Sequence, residues 1–90
     1  MMNPDKGLSL GLEVSWSSQA GGYTKTKRGT IVAVILPGEL PDRSRFLSLY
    51  KDSGVGSSRD HVSYVVAVEK GKGKPRFYWP RTSALRTADS

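Results

Sequence analysis

His61 is the sole histidine of this 90-residue chain, and Asp60 stands directly before it. A carboxylate beside an imidazole can orient a general base. At a strand edge the same pair reads more simply as a residue with its ring in solvent. No cysteine is present to act as a nucleophile or thiolate ligand. Ser15, Ser17, Ser18, Ser57, Ser58 and Ser63 lack the strained Gly-x-Ser-x-Gly setting of a nucleophile elbow. The carboxylates are scattered, with no paired acid and base and no metal-binding spacing. Gly71-Lys72-Gly73-Lys74 has half the look of a phosphate loop, but no helix follows it. The expectation is a protein that is not an enzyme, with no metal site and no cofactor.

The positive signal is electrostatic. Lys70, Lys72, Lys74 and Arg76 bracket a hairpin, and Arg81 and Arg86 follow closely. The first four share parity, which on regular strands places them on one face. Lys25, Lys27 and Arg28 form a second basic group on an earlier loop, expected to face the same side. Tyr78 shares the parity of Arg76 and would stack a base if that face is outward. Tyr23 is a second candidate ring, whereas Phe77, Trp79 and Trp16 are expected in the core. Arg43 and Arg45 read as the solvated face of a helix.

These residues need elements to position them. Leu12, Val14 and Trp16 alternate with Glu13, Ser15 and Ser17, the pattern of a half-buried strand. Ser18 to Gly22 reads as a turn. Tyr23 to Arg28 is β-prone but charged, either a loop arm or the exposed start of a strand. Thr30 to Leu36 is rich in Val and Ile on both faces, so it is expected to be central and covered on both sides. Gly29 would mark a bend or bulge at its start.

Pro41 to Asp52 is the one helical candidate, with Phe46, Leu47, Leu49 and Tyr50 as its apolar stripe. Ser53 to Asp60 is loop-like by composition. His61 to Lys70 reads as a second strand and Pro75 to Trp79 as its hairpin partner. Pro80 ends that ladder because it has no donor. Thr82 to Arg86 fits a 3₁₀ turn before a short closing strand.

The expected organisation is a flexible arm over 1–10, one domain over 11–87 and a tail over 88–90. Residues 37–60 would be an insertion carrying the short helix. A chain this short buries only about 60–65% of its unfolded surface, so its core is thin. Without cysteine it has no disulfide staples, which favours a reducing, cytoplasmic setting. No apolar run approaches the roughly 20 residues that cross a bilayer, so no membrane association is expected.

The formal charge is +6, and it is uneven. Residues 1–60 carry eight basic against six acidic side chains, and residues 61–90 carry six against two. Such a surface favours polyanions, DNA or RNA first. A net charge of this size also serves plain solubility.

Two blocks resemble a known plan. Gly11-Leu12-Glu13-Val14 followed by Lys27-Arg28-Gly29-Thr30-Ile31-Val32 is similar to the opening of Tudor-like and KOW-like domains. Tyr64-Val65-Val66-Ala67-Val68-Glu69, then Tyr78-Trp79-Pro80 and Ala84-Leu85-Arg86, is similar to their closing hairpin and final turn. The resemblance covers about residues 11–36 and 61–87. It implies a mainly β fold, an SH3-like bent barrel of about five short strands.

Type II dihydrofolate reductase subunits share this plan, with a Val-Gln-Ile-Tyr run before the last proline. Here Arg76-Phe77-Tyr78-Trp79 stands before Pro80, without the glutamine that engages folate and nicotinamide. That family shows that such subunits can form homo-oligomers.

The leading expectation is a small basic accessory protein that binds nucleic acid through the backbone. The alternative is a protein-interaction module, or a phage or mobile-element inhibitor of an acidic partner. Phe46, Leu49 and Tyr50 would make that contact.

Overall fold

The computed structural model describes residues 8–20, 22–52, 55–69, 71 and 73–87. Its strands are β1 (Glu13–Ala20), β2 (Tyr23–Ile35), β3 (Ser63–Val68), β4 (Arg76–Tyr78) and β5 (Arg86–Thr87). The helix α1 (Leu47–Asp52) lies between β2 and β3, and a 3₁₀ turn (Thr82–Ala84) precedes β5. The strands form one antiparallel sheet in the order β4-β3-β2-β1-β5. The chain is mainly β, as its patterning implies.

The barrel is not closed, because β4 and β5 remain the two edges of the sheet. β4 is three residues long, between Pro75 and Pro80, and β5 is two residues long. Edges this short offer few ladder bonds, and the flanking prolines offer no donor.

β1 obeys its alternation: Val14 and Trp16 are buried while Glu13 and Ser17 are exposed. It runs on to Ala20, which pairs with Tyr23, so the turn expected from Ser18 is shorter. Gly22 takes φ of 90°, open to glycine at little cost.

β2 is a single 13-residue strand, longer than its apolar pattern implies. Its first half, Tyr23 to Thr30, pairs with β1, and its second half, from Thr30 onward, pairs with β3. The charged stretch from Tyr23 to Arg28 is therefore strand. Backbone pairing and β-prone threonines carry it where no core face is needed.

Gly29 sits where β2 changes partner. A Cβ there would strike the Ala67 carbonyl oxygen and lie 2.7 Å from Val66 Cγ1. The register shift falls just beyond, between Ile31 and Ala33. That shift changes which face the strand buries. Ile31 joins one apolar cluster, while Ala33 and Ile35 join another.

The first cluster packs Val14, Trp16, Tyr64, Val66 and Leu85 around Ile31. The second gathers Phe46, Leu49 and Val65 with Ala33 and Ile35. β3 is thus covered on both faces. Each side chain fully buried this way contributes about 1.5–3 kcal/mol. Leu8, within the segment read as a loose arm, is 7% exposed and belongs to the first cluster. The Gly11 amide donates to the Ile31 carbonyl at 2.9 Å, which ties that segment to β2.

The helix is shorter than expected. Asp42 accepts from the amide of Ser44 at 3.0 Å and from its hydroxyl at 2.9 Å. This local turn competes with a helix from Pro41, and α1 begins only at Leu47. Phe46 and Leu49 point into the second cluster, and the Tyr50 hydroxyl donates to the Pro41 carbonyl at 2.6 Å. The stripe assigned to a protein contact is therefore packed on the domain itself. Arg43 and Arg45 are exposed, as expected, but they precede α1 and lie over the rings of Tyr50 and Phe46, at 5.1 and 4.6 Å. Among the described residues, no helix is long and apolar enough to cross a membrane.

Candidate functional site

The edge strand β4 presents different chemistry on its two faces. Alternation places Arg76 and Tyr78 on one and Phe77 on the other, with Trp79 following. The register confirms this, since Tyr78 pairs with Val66 of the first cluster and Phe77 with Ala67.

Tyr78 is half-buried rather than a bare outward platform. Its ring meets Trp16 edge-on at 5.6 Å. This edge arrangement suits the opposed charges of ring edge and ring face. Lys27 Nζ lies over the Tyr78 ring at 5.2 Å, and the Arg76 guanidinium at 6.0 Å. Two cations therefore flank one aromatic ring, held by strands from opposite ends of the sequence.

On the other face, Phe77 packs edge-on against Phe46 at 4.9 Å, as core. Trp79 is half-buried, and its indole N–H donates to Ser63 Oγ at 2.9 Å. Arg59 stacks on it, with the guanidinium carbon 3.8 Å from the ring centre. That guanidinium also donates to the carbonyls of Pro80, at 2.9 Å, and Trp79, at 2.8 Å. Burial, and secondarily the charge of Arg81, pull Arg59 below its ordinary pKa. It still carries its charge at neutral pH, because guanidinium does not deprotonate in proteins. Among the described residues no carboxylate lies within 4.0 Å of Arg59 or Arg81.

A groove of about 410 Å³ straddles β4 between these two groups. Its lining includes Trp16, Arg76 and Tyr78 of the first group and Phe77, Trp79 and Arg59 of the second. Among its described lining residues there are two arginines and no carboxylate. The groove can accept a flat, electron-rich ring beside an anion.

The basic residues read from the sequence divide. Lys27 stands opposite Trp16 on β1, and Lys25, two residues away, shares its face. Arg28 pairs with Ser15, which pairs in turn with Arg86, so these two arginines sit on the other face of the sheet. The single basic surface expected from Lys25, Lys27 and Arg28 is therefore split, because adjacent strand residues point to opposite sides. Lys74 is exposed ahead of β4, and Arg81 is exposed at the start of the 3₁₀ turn. Lys70 and Lys72 lie outside the described residues. Tyr23 is 67% exposed at the tip of the β1–β2 hairpin, remote in register from Tyr78.

Arg59 is the site residue that sequence reading missed. It stands in a polar loop segment, and its partners Trp79 and Pro80 come some twenty residues later. The only local hint was one basic residue among Gly and Ser. His61 is exposed, with Nδ1 3.2 Å from the fully exposed Asp60 carboxylate. Among the described residues no three His, Asp or Glu side chains converge on a metal-sized site.

No known protein-family model matches the chain, and no curated protein or solved structure shows significant similarity to it.

Proposed function

We propose that this chain is a small basic accessory protein that binds nucleic acid, chiefly through phosphate contacts. The observation that carries this is the pair of cations on Tyr78. Lys27 and Arg76 come from separate strands and meet on one ring, and that ring and Arg76 line a groove whose described lining residues include two arginines and no carboxylate. Lysine and arginine neutralise phosphates and release counterions, while an aromatic ring takes a base without regard to its identity. The strand order, with a 3₁₀ turn before β5, supports an SH3-like plan for the scaffold. Among the described residues the one helix, α1, packs on the second cluster, so backbone contacts are taken to dominate.

The test is fluorescence anisotropy with labelled single-stranded DNA, duplex DNA and RNA, at low and near-physiological salt. Saturable binding at micromolar concentration or tighter, persisting at the higher salt, supports the reading. Binding that disappears with salt and prefers no form reduces the charge to a solubility feature.

A further inference from the structure

The groove at β4 has features that phosphate binding alone does not require. Its aromatic side chains come from both faces of an edge strand, and each face carries a cation against a ring. On one face Lys27 and Arg76 attend Tyr78. On the other Arg59 is held against Trp79 by bonds to two carbonyls. A duplex keeps its base faces stacked inside, so its backbone could satisfy the cations while the rings met nothing. A single strand exposes base faces and phosphates together.

Resting on the proposed nucleic-acid function, we infer that the β4 groove is a base-binding subsite for single-stranded nucleic acid. One base stacks on Tyr78 and a neighbouring base on the Arg59–Trp79 pair. The two platforms differ in how they are held. Lys27 has a flexible stem, so its ammonium can leave the Tyr78 ring for a phosphate as a base arrives. Arg59 is fixed by its carbonyl bonds, so its plane is already set when the strand enters. The volume of about 410 Å³ accommodates flat rings. Because every base has an aromatic face, the subsite is tolerant of sequence.

The experiment uses the intact wild-type protein and three labelled probes of equal length: oligo-dT, an abasic oligonucleotide with the same phosphates, and a duplex. Anisotropy is followed at several salt concentrations, and tryptophan emission in parallel. Oligo-dT is expected to bind about tenfold or more tighter than the abasic strand, with a similar salt slope. It should also quench the tryptophan emission, to which the groove residues Trp16 and Trp79 both contribute, and which the abasic strand and the duplex leave unchanged. Equal affinity for oligo-dT and the abasic strand overturns the base subsite and leaves the phosphate reading standing. Failure of all three probes to bind at low salt overturns both. A Tyr78→Leu variant, shown folded by circular dichroism, should lower oligo-dT affinity and spare the abasic strand. A matching loss on both probes counts against the subsite.

Discussion

The guanidinium of Arg59 lies 3.8 Å from the centre of the Trp79 ring and donates to the carbonyl of that same residue at 2.8 Å. One side chain thereby ties the loop before β3 to the strand end after β4. A second bond, to the Pro80 carbonyl at 2.9 Å, completes the fork. Arg59→Ala should therefore destabilise the fold by about 1–3 kcal/mol, from charge-assisted bonds and the lost ring contact. Arg59→Lys keeps the charge without the fork and should recover only part of that loss. Urea unfolding midpoints measure both. An alanine variant as stable as the wild type would show that the fork is dispensable.

Gly29 has no room for a side chain. Its Cβ position is claimed by the Ala67 carbonyl and by Val66 Cγ1 at 2.7 Å. Gly29→Ala should cost about 2–3 kcal/mol through forced displacement of β3. The cost falls on packing, so backbone conformation is not at issue. Thermal melts of the variant should show a clear drop, and an unchanged melt would mean that β3 yields easily.

Binding should depend on which face a basic residue occupies. Lys27→Glu and Arg76→Glu alter the Tyr78 rim, whereas Arg28→Glu acts on the opposite face beside Ser15. The first two should weaken nucleic-acid binding and reduce the salt slope by about one each, on all sequences alike. Arg28→Glu should change affinity far less, although the net charge change is identical. Equal losses from all three would mean that only total charge matters.

The turn before α1 should respond to acid. The Ser44 hydroxyl and then its amide hold the Asp42 carboxyl below its ordinary value of 3.8. The unfolded chain then binds the proton more readily, so stability from this group rises with pH across the interval between the two pKa values. It is fully present above the unfolded value and lost as pH falls through the folded one. Ser44→Ala should therefore be less stable than the wild type near neutral pH, and the gap should close in strong acid. A gap of constant size from neutral to strong acid would trace the effect to something other than the carboxylate.

Much of the fold was legible where one periodicity dominated. The alternation through Val14 and Trp16 identified β1 and its buried face. The Val-rich run around Val65 identified a strand, but coverage on both sides was expected of Thr30 to Leu36, where Val34 and Leu36 are exposed, and belongs instead to β3. The parity of Phe77 and Tyr78 was also readable, but two separate clusters were not. An inward or outward choice for Tyr78 assumed a single core. The first half of β2 was obscure because its stability comes from pairing with β1, and its side chains carry no apolar rhythm. The start of the helix was misplaced by the bond from Ser44 to Asp42, a local event invisible to a count of apolar spacings. The candidate site was legible in its charges and rings. Arg59 was not, because its partners are fixed by tertiary folding.

The pairing of β1 with β5 has a consequence for how the chain folds. Val14 meets Thr87 and Ser15 meets Arg86, contacts that span nearly the whole domain. Leu85, at 0% exposure, enters the first cluster from that same terminal segment. Closing so long a loop is entropically costly, and contacts of this kind slow folding. The β1–β2 hairpin can form earlier from neighbours in sequence. On a growing chain, the outer side of β1 stays unpaired and one core cluster stays open until residue 85 has emerged. During that interval the nascent protein is most exposed to pairing with another chain.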